Sequence, residues 1–276
     1  MLPTYERLND PKKPLFRIAF AKLAVIAVSL PLGAFCFCVV WSLLFDFVRS
    51  TFTHCDVANY LPSVSAAIGN YEPQKTVWRL AIILHMPFRL AVAKMYLEYY
   101  REHIRRNRRM FGILACTLNV IEDFALFSLS LWTSADNYEI HRNSFVVFIA
   151  CSECYMLISY LLNRNARKVA MLPHEEKSLR YKRNLFFTNV LAFGLAGYCF
   201  MRHNARCETG GKYLDRCGLS ACFNYGSICF TVYTFFALFE YVVVLTNMGF
   251  HMTSCWDFYA LSVVCDSRRG LYLSHL

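Results

Sequence analysis

Apolar positions in this chain fall into unbroken runs. They neither alternate with polar residues nor mark one face of a helix. Six runs stand out, at about 18–47, 77–99, 110–132, 144–162, 184–201 and 227–250. The first is longer, and the other five are close to the roughly 20 residues a helix needs to cross about 30 Å of hydrocarbon. A segment that is apolar all round has no face for water, so it must lie in lipid or deep in a core. The pattern predicts an all-α, polytopic membrane helical bundle with six transmembrane helices. Pro31 and Pro87 fall inside runs, where neighbouring helices can satisfy the carbonyl groups a proline leaves unbonded.

Charge orients the bundle. The net charge of +10 sits at the ends of the runs. The N-terminal segment, loops 101–109 and 163–183 and the C-terminal end carry eighteen Lys and Arg, against seven in the alternate loops. Positive residues favour the cytosolic side, so both termini are expected in the cytosol. Loops 48–76, 133–143 and 202–226 are expected to be lumenal. An even number of spans gives the same result. Residues 1–258 then form one bundle domain, with 211–231 as an insertion-like segment and 259–276 as a cytosolic tail. The aromatic and basic groove that single-stranded nucleic acid requires is missing, so nucleic acid is not expected as a partner.

Composition matters next for what it places inside the runs. At 57% hydrophobic and 17% charged, the chain has few charges to spare for lipid, where each is costly and tends to mark function. At 1.5 Å per residue, His85 lies about 12 Å below the lumenal start of the second run, with Arg89 one turn deeper. Glu122 and Asp123 lie about 14–15 Å from the lumenal end of the third run, with Asn119 a turn further. Glu153 and Glu240 reach similar depths. Arg89 is therefore expected to pair with Glu122 or Asp123, and His85, four residues before Arg89, to share its face. The result is a polar pocket open to the lumen.

The predicted lumenal loops carry His54, His141 and His203. With His85 they are the candidate acid/base groups, since an imidazole can exchange a proton near neutral pH. Of the 13 cysteines, most sit in the runs, where Cys behaves as a small hydrophobe. Cys55 and Cys207 follow the first and fifth runs on the oxidising side and are expected to form a disulfide; Cys217 and Cys222 are a further possible pair. His54, Cys55, His203 and Cys207 match no structural zinc spacing, so no metal or other cofactor is expected.

Six motifs occur in one order: FTHCDVANYLPSVSAAIG, LHMPFR, NVIEDFAL, YEIHRNSFVVFI, RHNARCE and FALFEYVVVLTNMGFHMTSCWDF. In this set and order the chain resembles the Frag/DRAM/Sfk family over about residues 16–209 and 232–258. Stretch 211–231 reads as an insertion, and the segment after Phe258 carries none of these motifs. The resemblance implies a multi-pass protein of the Golgi membrane, with the endoplasmic reticulum as a second location. Its implied role is fatty-acid remodelling of GPI anchors, restoring a saturated chain to the lyso-anchor and supporting stable surface display. Implied partners are GPI-anchored proteins with their lyso-lipid, membrane lipids and other remodelling proteins. Asn59, Tyr60, Ser63, Ser65, Arg89, Asn119, Glu122, Glu208, Glu240 and Asn247 match the motifs and are the candidate substrate-binding residues.

Two functions remain open at this level. One is an acyltransferase, with a histidine deprotonating the lyso-lipid hydroxyl and Ser63 or Ser65 as a covalent relay. The other is a lipid-binding adaptor that scaffolds a separate acyltransferase or lipid kinase.

Overall fold

The computed structural model describes residues 15–53, 59–168, 170–208, 222–223, 228–229, 232–266 and 270–275, with side chains omitted at 206–208, 222–223, 228–229 and 275. Among them, six helices are long and apolar enough to cross a membrane. They are α1 (Phe20–Phe45), α4 (Gln74–His103), α5 (Arg109–Leu131), α6 (Tyr138–Asn165), α7 (Pro173–Glu208) and α8 (Val232–Met252). The short helices α2 (Phe47–Ser50) and α3 (Val64–Gly69) lie between α1 and α4, and α9 (Ser254–Asp257) follows α8. Strands β2 (Cys222–Phe223) and β3 (Ile228–Cys229) pair as a small ladder within the predicted insertion.

The helices start where their sequences offer caps. Ser63 caps α3, its hydroxyl accepting from Ala66 N at 3.2 Å. Asn137 caps α6, accepting from Ile140 N at 3.1 Å. Each side chain satisfies an N–H group that has no partner within its helix. Helix α7 is longer than its apolar run. It opens on Pro173, with Glu175 and Glu176 in the first turn, all favourable at a helix N-terminus. Its 36 residues reach about 54 Å. Much of the predicted loop 163–183 and the start of loop 202–226 are therefore helix.

The six long helices form a ring in the order α1, α4, α5, α6, α7, α8 and back to α1, loosest at α6–α7 and α8–α1. At one end lies α3. At the other, Phe20, Met95, Tyr96, Tyr99, Tyr100, Tyr155, Phe250 and Phe258 fill the largest apolar core. Beneath it, Lys182, buried to 1% exposure, pairs with Asp257, which also accepts from Tyr96 Oη at 2.6 Å.

The segment set apart as a tail is part of the fold. Strands β4 (Leu261–Asp266) and β5 (Gly270–His275) form a hairpin, and β4 also pairs antiparallel with β1 (Phe16–Ala19), giving the order β1-β4-β5. Gly270 has φ +68°, a turn conformation that suits glycine. Val263 and Val264 are buried, and Arg17 Nε donates to Ser262 Oγ at 3.0 Å. The strands at both ends of the chain thus meet at one end of the bundle, away from α3.

Candidate functional site

A cavity of about 470 Å3 runs down the inside of the ring, within the size range of small-molecule pockets. On α8 its wall extends from Phe236 to His251, about 22 Å of helix. Most of the lining is apolar, including Leu126, Phe145, Phe193, Phe200, Val243 and Met248. Its α6 and α7 walls flank the loose α6–α7 seam. Polar groups gather at the two ends of this slot.

The inner end is a buried charge network. Arg89 Nη2 donates to Asn119 Oδ1 at 2.8 Å and lies 3.3 Å from Glu122 Oε2; Arg89 Nε is 4.0 Å from Asp123 Oδ1. Glu122 Oε1 accepts from Asn247 Nδ2 at 2.9 Å and lies 3.2 Å from His251 Nε2. Asn247 Nδ2 also donates to Ser152 Oγ at 2.6 Å. Arg89, Asn119, Glu122 and Asp123 are all buried. His85 lines the cavity beside Arg89, and its Nδ1 bonds the Ala27 carbonyl. The network thus draws on α1, α4, α5, α6 and α8. Both predicted partners of Arg89 are present, with Glu122 the closer. Glu153 stands apart, its carboxylate oxygens making no hydrogen bond among the described residues.

The outer end is built by α3 and the first turn of α6. His141 Nδ1 lies 2.9 Å from the Trp132 carbonyl and 3.1 Å from that of Leu129. Carbonyls at a helix C-terminus lack partners within the helix, and these two cap α5 through the imidazole. Nδ1 therefore carries the hydrogen and Nε2 is the acceptor. The Ser65 hydroxyl, 3.2 Å away, donates to it. Arg142 and Tyr138 complete this rim. Glu240 holds α3 in place, its Oε2 accepting from Val64 N at 3.0 Å.

Of the candidate residues, Ser65, His85, Arg89, Glu122, His141, Glu240 and Asn247 line the cavity. The others are placed differently. Asn59 accepts from Thr234 Oγ1 at 2.9 Å, and the Tyr60 backbone donates to the same hydroxyl at 3.3 Å. Ser63 is the α3 cap, and Asn119 orients Arg89 from behind. His203 is fully buried, its ring 4.7 Å from that of Tyr233. His54 and Cys55, and the side chains of Cys207 and Glu208, lie outside the described residues. The sequence matched His251 to the family motifs without giving it a role, and passed over Ser152, Tyr138 and Arg142. His251 was within reach, because it sits four residues from Asn247 and so shares its helical face. No group of three or more metal-ligating side chains occurs among the described residues.

The fold and the cavity define a class: polytopic membrane proteins whose helices enclose a largely apolar cavity with polar groups at both ends. Within that class the chain belongs to the Frag1/DRAM/Sfk1/Cwh43P family, whose N-terminal domain profile matches residues 19–261. It is 76% identical over 274 residues to Post-GPI attachment to proteins factor 2 of Drosophila pseudoobscura pseudoobscura, covering 99% of both chains. It is 43% identical over 246 residues to a Xenopus tropicalis protein named Acyltransferase PGAP2, covering 88% of this chain and 89% of that one. It is 35% identical over 263 residues to Post-GPI attachment to proteins factor 2 of Caenorhabditis elegans, covering 93% and 92%. No solved structure matches the chain.

Proposed function

We propose that this protein remodels the lipid of GPI anchors, transferring a saturated acyl chain to the lyso-anchor within the membrane and so supporting stable surface display. The observation that carries this reading is the cavity, an apolar slot with a Ser–His pair and an arginine at its outer rim. An acyl chain fits the slot, and Arg142 at the rim suits a lipid phosphate. The relatives' names, one of them an acyltransferase, agree with it. The site faces the lumen of the Golgi, where GPI lipids occupy the lumenal leaflet, and both chain termini are cytosolic. The endoplasmic reticulum is the second location. Cys55 and Cys207 form a lumenal disulfide. GPI-anchored proteins are the partners, and lipid reaches the slot through the α6–α7 seam.

Gly197 tests this directly. It lines the cavity, and a Cβ placed on it meets nothing within 4 Å. Gly197→Phe should fill the slot without disturbing the surrounding helices. In nanodiscs supplied with lyso-GPI and an acyl donor, transfer should fall by at least about tenfold, the loss of about 1.4 kcal/mol of binding. Full transfer by a folded Gly197→Phe protein would refute the cavity as the site. Lyso-lipid binding with no transfer by the wild type would favour the adaptor role.

A further inference from the structure

We infer that Ser65 and His141 act as a nucleophile–base pair and that transfer passes through an acyl-Ser65 ester. The inference rests on the proposed acyl transfer and goes beyond it by assigning a covalent intermediate and its two residues. An activated serine needs a base within hydrogen-bond reach, and the base needs a third group to orient it. Both conditions are met. Ser65 Oγ and His141 Nε2 are 3.2 Å apart. His141 Nδ1 is held by the Leu129 and Trp132 carbonyls, which fix its tautomer as an acidic third residue would. Both side chains are half-buried and line the cavity, so an acyl carbonyl at the rim would have its chain in the slot.

Other candidates are committed elsewhere. The Ser63 hydroxyl accepts the Ala66 N–H as a cap. His85 bonds a backbone carbonyl inside α1, and His251 is bound to Glu122. Ser65 lies one residue inside α3 and pairs across to α6, which a capping or back-bonding serine would not do.

The steps balance without a redox partner. Ser65 Oγ attacks the carbonyl carbon of an acyl donor, either the ester of a diacyl phospholipid or an acyl thioester, and its proton passes to His141 Nε2. The carbon–oxygen or carbon–sulfur bond breaks, and the leaving lyso-lipid or thiol takes that proton. The hydroxyl of the lyso-acceptor then gives its proton to Nε2 and attacks the acyl-Ser65 ester. Ser65 leaves and recovers the proton.

The test uses the full chain in nanodiscs with one donor at a time and no acceptor. The donors are phosphatidylcholine carrying an isotopically labelled saturated chain and palmitoyl-coenzyme A. Mass spectrometry should find the acyl mass on the peptide containing Ser65 with one of them, identifying the donor class. Adding lysophosphatidylinositol should then discharge it. Ser65→Ala should lose the adduct and most transfer while still binding lyso-lipid. His141→Gln should slow acylation by about 10²–10⁴-fold, the usual worth of a general base. Ser65→Cys, which preserves the packing, should form a thioester that neutral hydroxylamine cleaves. Wild-type transfer without an adduct on Ser65, or wild-type rates from folded Ser65→Ala, would overturn the relay and leave the cavity reading intact. Neither transfer nor adduct with either donor would overturn both.

Discussion

Arg89 and Glu122 form a buried ion pair inside the bundle, 3.3 Å apart. Removing one partner strands the other, a loss of about 3–5 kcal/mol for a buried pair. Glu122→Gln should fall near the lower bound, because Asp123, 4.0 Å from Arg89, remains as a second anion. Arg89→Met with Glu122→Gln should cost less than the sum of the single changes. Unfolding midpoints in detergent micelles provide the measurement. A different carboxylate sets an acid response. Asp136, in the turn between α5 and α6, accepts from Lys75 Nζ at 2.9 Å and from Arg79 Nη2 at 2.8 Å. The Lys75 hydrogen bond, chiefly, holds its carboxyl down from the usual 3.8 to about 2. Its folded value is depressed, so its contribution is complete above the unfolded value and disappears as pH falls through about 2. Melting temperatures between pH 5 and pH 2 should fall less steeply for Asp136→Asn than for the wild type. The difference will be small, because the pair is partly exposed. Helical rise alone brought Arg89 level with Glu122 and Asp123. Depth carries no information on rotation about a helix axis, however, so it could not show that His203 turns toward Tyr233 rather than the slot.

At the scale of elements, close approach between helices limits what the interfaces tolerate. A Cβ on Gly112 of α5 would sit 2.9 Å from Tyr100 Cβ of α4, a backbone-proximal atom that cannot swing aside. Gly112→Ala should therefore destabilise by about 1–3 kcal/mol, the usual cost of overpacking, where Gly194→Ala, with open space around it, should not. Thermal unfolding of the two variants makes the comparison. Helix α7 is held differently. The described members of the Arg89–Glu122 network all come from the other long helices. Asn189 ties α7 to α8 through Val243 O at 2.9 Å and Thr246 Oγ1 at 2.8 Å. The helices themselves were legible because lipid imposes a length and an all-round apolarity that little else produces. The overrun of α7 was hidden by its own charges: KSLRYKR looks like a loop to a hydropathy scan, yet none of its residues breaks a helix.

For the whole molecule, the ring and its latch were unequally visible. Six spans and a shared side for both ends follow from run lengths and charge. The β1-β4-β5 sheet does not, because Phe16 pairs with Cys265, and no local pattern reports a partner that far along the chain. Strands of six residues also resemble ordinary apolar loop. The latch should matter for stability. Deleting residues 259–276 removes β4 and β5, strips Val263 from the core around Phe20 and Phe258 and takes away the buried Val264. At about 1.5–3 kcal/mol for each buried side chain, the truncated protein should lose several kcal/mol. It should also show a lower yield of monodisperse protein on size-exclusion chromatography.

The central strand of that sheet has a consequence for biogenesis. Strand β1 leaves the ribosome before α1, and β4 only after α8, so α1 enters the bilayer beside a strand whose partner has not yet been synthesised. A nascent chain halted after its sixth span would hold all six long helices and still lack its clasp. Cellular quality control could therefore recognise such a product by one unpaired strand edge, without inspecting the interior of the bundle.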